Sequence, residues 1–63
     1  MNVKLIVFGD GHGFEWELTI DRPGKARAYL SSTWTYKRAS NALSAARIWA
    51  KSFGWTIIEE SLP

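Results

Sequence analysis

Apolar residues recur at steps of three and four positions along the stretch Ala39–Phe53, ASNALSAARIWAKSF. This spacing is typical of an amphipathic helix, which we expect over about 38–53. The apolar positions are Ala39, Ala42, Leu43, Ala46, Trp49, Ala50 and Phe53, and the polar side carries Ser40, Ser44, Arg47 and Lys51. Gly54 follows the last apolar position, where a left-handed residue closes a helix, so the helix should end there.

The other apolar segments have the pattern of strands. Residues 3–8, VKLIVF, are apolar on both alternations apart from Lys4, which is typical of a strand with neighbours on both sides. Residues 14–20 alternate cleanly, with aromatic and aliphatic side chains on one face and Glu15, Glu17 and Thr19 on the other. Residues 26–31 and 55–59 predict two more strands.

Glycine-rich turns connect the first three strands. Gly9–Gly13 (GDGHG) has three glycines, and residues 21–25 (DRPGK) combine proline with glycine. The apolar residues of the second and third strands must share a face, so Leu18 and Ile20 should oppose Ala28 or a residue two positions away. Paired residue numbers should therefore sum to an even value, and the turn should have an odd number of residues.

These elements predict one small α+β domain over residues 1–63, in the order β-β-β-α-β. The sheet should be mostly antiparallel, with the amphipathic helix packed on one face. A right-handed crossover after the helix would place the last strand beside the first and parallel to it, which gives the strand order 3-2-1-4.

Composition indicates how so short a chain builds a core. The 63 residues include no cysteine, so there is neither a disulfide framework nor a thiolate metal site. Four tryptophans, three phenylalanines and two tyrosines should supply much of the core, and we expect Trp16 and Trp49 there. No apolar run approaches the roughly 20 residues of a membrane span, and no signal peptide is recognised, so we expect a soluble, cytoplasmic protein.

The residues that could carry catalysis do not form a pattern that supports it. His12 is the single histidine and has only Asp10 beside it, whereas a closed metal site needs three or four ligands. GDGHG leads into a strand, whereas phosphate-binding loops usually open a helix. Glu15 and Glu17 are expected to be cross-strand partners of Arg27. We therefore expect a non-enzymatic protein without a metal or cofactor.

The segment Ser31–Arg38, SSTWTYKR, joins the third strand to the helix and is the most promising binding segment. Its hydroxyls, aromatics and cations lie near the free amides of a helix start, a combination that can bind an anion. In the simpler alternative, Thr35 or Ser40 caps the helix, the aromatics fold back on the core, and the cations are solvated.

Net charge is +2 and the pI is near 9.3, which permits an anionic partner without requiring one. The sheet face that carries Arg27 and Tyr29 could in principle contact nucleic acid. Glu15 and Glu17 lie on the same face, and their charge would repel phosphate.

One series of residues resembles the YegP-like small domain of unknown function. It comprises Phe14-x-Trp16-x-Leu18, a turn glycine at Gly24, Ser32, Tyr36 and then the alanine-rich helix from Ala42. The resemblance covers roughly Phe14–Trp49. It implies a β-β-β-α unit that is often paired with a second copy, so a chain with one copy would form a homodimer.

A looser resemblance, over GKARAYLSSTWTYKRASNALSAARIWA, is to DNA-binding domains made of three strands and a helix, the plant AP2 type and the phage integrase arm-binding type. Those domains place arginines and tryptophans along the sheet face. This chain has Glu15, Glu17 and Thr19 there.

Three functional hypotheses follow. The first is a protein-interaction module of inhibitor or adaptor type that docks on a larger partner through Trp34, Tyr36, Lys37, Arg38, Arg27 and Tyr29. The second is a nucleic-acid-binding accessory protein that uses Arg27, Lys37, Arg38, Arg47 and Lys51. The third is a structural homodimer that pairs through an exposed edge strand.

Overall fold

The computed structural model describes residues 1–20 and 28–63. The elements are β1 (Asn2–Gly9), β2 (Phe14–Ile20), β3 (Ala28–Ser31), α1 (Ala39–Ser52) and β4 (Thr56–Ser61). The α+β class and the β-β-β-α-β element order are confirmed. The last strand begins and ends later than the predicted 55–59, and residues 26 and 27 of the predicted third strand lie outside the described residues.

The four strands form one mixed sheet in the order β3-β2-β1-β4. β2 is antiparallel to both β1 and β3, and β4 is parallel to β1. β1 therefore has a neighbour on each side, as its apolar sequence indicates. The parallel pairing shifts register between Val3 and Lys4, where Ile58 is the extra residue of β4.

The register of the second hairpin has the predicted parity. Leu18 pairs with Leu30 and Ile20 with Ala28, so the numbers of each pair sum to 48. Because side chains alternate along a strand, this register keeps Leu18, Ile20 and Leu30 on the face that α1 covers.

The core lies between that sheet face and α1. Its buried residues are Val3, Leu5 and Val7 of β1, Trp16, Leu18 and Ile20 of β2, and Ala42, Ala46 and Ala50 of α1. Trp16 is 2% exposed, which confirms its predicted place in the core.

Trp49 is not the core residue that the sequence predicts, because it is 48% exposed. The helix contacts the sheet through its alanines, whose small side chains bring the two backbones close together. The bulky Trp49 and Phe53 then lie at the margin of the contact, with Phe53 49% exposed.

The two ends of α1 differ in how well they are capped. Arg38 is the N-cap residue and makes no side-chain hydrogen bond to the helix, so the prediction that Thr35 or Ser40 caps it is wrong. At the other end Gly54 has φ of +72°, as predicted. Its N–H donates to the Lys51 carbonyl at 3.0 Å, and the Trp55 N–H donates to the Ala50 carbonyl at 2.9 Å, which is the Schellman arrangement. Within the described residues, no helix is long and apolar enough to cross a membrane.

Candidate binding surface around Trp34

The segment that follows β3 is fixed to β2 at two points. At the first point, the Ser32 N–H donates to the Trp16 carbonyl at 3.0 Å, and the Trp16 N–H donates to Ser32 Oγ at 3.3 Å. At the second, Phe14 and Tyr36 exchange backbone hydrogen bonds of 2.8 and 2.7 Å. Two positions separate the anchors on β2, whereas four separate Ser32 from Tyr36. Residues 33–35 therefore bulge out of the ladder, and we call them the Trp34 loop.

Gly13 allows the second anchor to form. A Cβ atom at this position would lie 2.6 Å from the Tyr36 carbonyl oxygen and 3.3 Å from the Cβ of Thr35. A side chain here would collide with backbone, so only glycine lets Tyr36 pair with Phe14 at this distance.

The turn before β2 is ordered by Asp10. Its Oδ1 accepts from the N–H groups of His12 at 2.8 Å and Gly13 at 3.0 Å, and the Asp10 N–H donates to the Gly13 carbonyl at 3.1 Å. These bonds are those of an Asx turn, and they position Gly13 under the Trp34 loop.

The Trp34 loop forms one wall of a cavity of about 160 Å³. Four aromatic rings (Trp16, Trp34, Tyr36 and Trp49), Leu30 and the hydroxyl-bearing residues 31–33 line it. Trp34 is 67% exposed, and its ring lies 6.5 Å from that of Tyr36, which is half-buried against the core. The aromatic lining can enclose an apolar group.

Aromatic rings continue from the cavity along one side of the helix. The centroid distances are 6.3 Å from Trp16 to Trp49, 5.8 Å from Trp49 to Phe53 and 4.6 Å from Phe53 to Trp55. We call this series the aromatic stripe. Because Trp49 and Phe53 are half exposed, the stripe extends the apolar surface beyond the cavity.

The structure brings some of the predicted partner-binding residues together and separates others. Trp34 and Tyr36 share the cavity, and the exposed Lys37 and Arg38 follow them directly in the chain. Tyr29 pairs with Thr19 and is therefore on the opposite face of the sheet from Leu30. Arg27 lies outside the described residues.

Of the two helical cations proposed for nucleic acid, Arg47 is engaged within the domain. Its Nε donates to Glu60 Oε2 at 2.8 Å and its second guanidinium nitrogen donates to Oε1 at 2.7 Å. This pair lowers the pKa of Glu60 and raises that of Arg47. Lys51 is exposed in the last helical turn.

Glu15 and Glu17 lie on the open face of the sheet, which is the face away from α1. Glu17 opposes Ile6 on β1 and Ser31 on β3. The neighbouring Asp10 carboxyl group, with which Glu15 can share a proton, raises the pKa of Glu15, and the hydrogen bond from the His12 N–H lowers the pKa of Asp10. Pairing of these glutamates with Arg27 lies outside the described residues.

Within the described ranges there is no group of three or more His, Asp or Glu residues placed to hold a metal ion.

The sequence pointed to segment 31–38 but not to Trp49, Leu30 or Gly13. Trp49 could have been found from its size, since a tryptophan in an alanine-rich stripe lies beside a close contact rather than inside it.

The chain matches no protein-family model, no curated protein and no solved structure.

Proposed function

We propose that this protein is a small non-enzymatic interaction module, of inhibitor or adaptor type, that docks on a larger protein through the Trp34 loop and its cavity. The observation that carries the proposal is a tryptophan that is 67% exposed on a loop held at both ends by backbone hydrogen bonds.

Exposure of so large an apolar side chain is unfavourable unless a partner covers it. Trp34 does not lie alone, because the cavity and the aromatic stripe continue the apolar surface across Trp49 and Phe53. Contiguous exposed apolar patches of this kind mark interaction sites, and tryptophan, tyrosine and arginine are the commonest energetic anchors of interfaces.

The two anchors of the loop also favour binding. A loop whose backbone is already restricted loses less conformational entropy when a partner arrives. The bonds at Ser32 and Tyr36 restrict the loop before binding.

Charge placement favours a protein partner over nucleic acid. Glu60 binds the guanidinium group of Arg47, and on the open sheet face the two carboxylates of Glu15 and Glu17 outnumber the one described cation, Lys4. Among the described residues proposed for nucleic acid, Lys37, Arg38 and Lys51 remain available to phosphates, and binding through them would weaken steeply with added salt.

The test is capture of partners from a lysate with the tagged protein, after nuclease treatment and at low and moderate salt. We expect a defined protein to be retained under all these conditions. Trp34→Ala should reduce its retention strongly, because truncation of an interface anchor typically costs about 2 kcal/mol or more.

Ile48→Ala is the matched control, since Ile48 is 65% exposed on α1 and does not line the cavity. Equal retention by both variants would contradict the proposal. Retained material that disappears with nuclease or moderate salt would instead support nucleic-acid binding, and a stable dimer mass in solution without other partners would support the homodimer.

A further inference from the structure

The Trp34 loop is made of residues that favour a strand. Its sequence is Thr33, Trp34 and Thr35, and β-branched and aromatic residues are enriched in strands. It contains no glycine, proline, asparagine or aspartate, which are the residues that ordinarily form tight loops. Local preference and observed structure therefore disagree in this segment, and such disagreement is expected at functional sites.

The bulge arises from a change of register between two pairings with β2. Ser32 bonds to Trp16 in the register of β3. Phe14 pairs with Tyr36, which is two residues further along the chain than that register requires. If the register of β3 continued, Phe14 would pair with Trp34. A shift of one residue would reverse the faces of the strand, but a shift of two keeps them, so Trp34 and Tyr36 are alternative partners for one position on β2.

The two pairings make the same number of backbone hydrogen bonds with Phe14. Phe14 exchanges two bonds with Tyr36, at 2.8 and 2.7 Å, and the same geometry would give two with Trp34. In the present pairing no backbone carbonyl of the described residues accepts from the Trp34 N–H. The alternative pairing leaves α1 in place, because the two extra residues move from the bulge into the connection before the helix.

The pairings differ in which aromatic ring is covered. Tyr36 is half-buried against the core, and Trp34 is 67% exposed. In the alternative pairing Trp34 takes the half-buried position and Tyr36 enters the connection to α1. The cavity that both rings line provides room for the larger indole ring. Burial of that ring favours the alternative pairing, and the present contacts of Tyr36 oppose it.

We propose that the Trp34 loop slides by two residues along β2 and so controls whether Trp34 is available for docking. In the open state Phe14 pairs with Tyr36, as in the structure. In the closed state Phe14 pairs with Trp34, whose ring is then covered. A partner that binds the open state alone shifts the population towards it, and its apparent affinity falls with the fraction of open molecules. The inference rests on the proposed function and adds regulation of the same site.

Amide hydrogen exchange followed in 1H–15N spectra tests the slide. The Tyr36 N–H donates to the Phe14 carbonyl in the open state, and the Trp34 N–H does so in the closed state. Tyr36→Ala removes the ring that keeps Trp34 out and should favour the closed state. We expect the amide at position 34 to gain at least about 10-fold protection and the amide at position 36 to lose as much. Tyr36→Phe is the control, since it keeps the ring and should show the protection pattern of the unchanged protein.

Relaxation dispersion tests the same motion in the unchanged protein, without any substitution. Exchange between the two states alters the hydrogen bonding of Trp34 and Tyr36 and leaves that of Ser32 the same. We expect one common exchange rate at the amides of Trp34 and Tyr36, in the μs–ms range that this method detects, and no exchange at Ser32.

A disulfide connects the slide to docking. The Cα atoms of a hydrogen-bonded antiparallel pair such as positions 14 and 36 lie about 5.5 Å apart, which a disulfide can span. The chain has no cysteine of its own, so Phe14→Cys/Tyr36→Cys can form one bond only. The oxidised variant is held open and should retain the protein that the unchanged chain captures from nuclease-treated lysate. Reduction releases the small side chain at position 36, and retention should fall at least about 10-fold as Trp34 is covered.

Three results would each overturn this inference. They are no gain of protection at position 34 in Tyr36→Ala, no exchange at Trp34 and Tyr36 in the unchanged protein, and equal retention by the oxidised and reduced disulfide variant. If Trp34→Ala still abolished capture, the proposed function would stand and only the slide would be wrong. If protection moved from position 36 to position 34 but Trp34→Ala left capture unchanged, the loop would slide without controlling docking, and the proposed function would be wrong.

Discussion

Replacement of Gly13 by alanine tests whether the Trp34 loop is held as the hydrogen bonds indicate. The added Cβ would lie 2.6 Å from the Tyr36 carbonyl oxygen, about 0.8 Å short of the 3.4 Å at which ordinary contact begins. The obstacle is backbone, so no side-chain rotation relieves the clash. Tyr36 must move away from Phe14, and the bonds of 2.8 and 2.7 Å between them should break or lengthen.

The expected cost follows from those two bonds. Each backbone hydrogen bond contributes about 0.5–1.5 kcal/mol net. The lower entropy of the unfolded alanine chain returns about 0.4–1 kcal/mol. We therefore expect Gly13→Ala to lower the free energy of unfolding by about 1.3 kcal/mol, the midpoint of a range of about 0–2.6 kcal/mol, and the melting temperature by roughly 5–10 °C.

Urea denaturation followed by tryptophan fluorescence measures this change, and Gly9→Ala is the control. A Cβ at Gly9 would meet its nearest atoms at 3.7 Å, which is ordinary contact, so this variant should be as stable as the unchanged protein or slightly more stable. If the two variants were equally stable, a Cβ at position 13 would not disturb the backbone pairing of Phe14 with Tyr36. That result would contradict the second anchor of the loop.

Three further substitutions test other parts of the fold. Trp16→Ala removes a buried core aromatic and should cost about 3–5 kcal/mol, enough to unfold so small a domain; an unchanged melting temperature would show that the strand faces are reversed. Arg38→Asp supplies the missing N-cap acceptor and should stabilise the domain by about 0.5–2 kcal/mol in thermal unfolding, whereas Lys37→Asp, with the same charge change one position earlier, should not. Arg47 lowers the pKa of Glu60, so their ion pair stabilises the fold. This stabilisation is complete above the ordinary glutamate pKa and is lost as the pH falls through the lowered pKa of Glu60. Glu60→Gln should therefore be less stable than the unchanged protein at pH 7 and equally stable in acid, and a difference that persisted in acid would contradict the ion pair.

Local patterns were enough to predict the elements of this fold. The alternation over Phe14–Ile20 and the helical period of Ala39–Phe53 reflect burial of one face, which any packed sheet and helix require. The parity of the β2–β3 register follows from the same requirement, and Gly54 closes α1 because few other residues adopt its backbone conformation.

The candidate site depended on contacts between distant parts of the chain, which the sequence did not reveal. A hydrophobic pattern does not distinguish the alanines of α1 from its aromatic residues. The close packing of the helix on the sheet is what buries Ala46 and leaves Trp49 half exposed. The glycine-rich turn is a sufficient reason for glycine at position 13, so the sequence does not predict the close approach of Gly13 to Tyr36. The bulge of the Trp34 loop likewise arises from bonds to β2 that no local pattern encodes.

Site-specific photo-crosslinking from position 34 tests most directly whether the Trp34 loop is the docking surface. A photoreactive phenylalanine analogue would replace Trp34 in one variant and Ile48 in another, with both expressed in cells and irradiated before nuclease treatment. We expect one protein adduct of defined mass from position 34 and none from position 48. Nucleic-acid adducts from position 34, or the same adducts from both positions, would contradict the assignment of this surface to a protein partner.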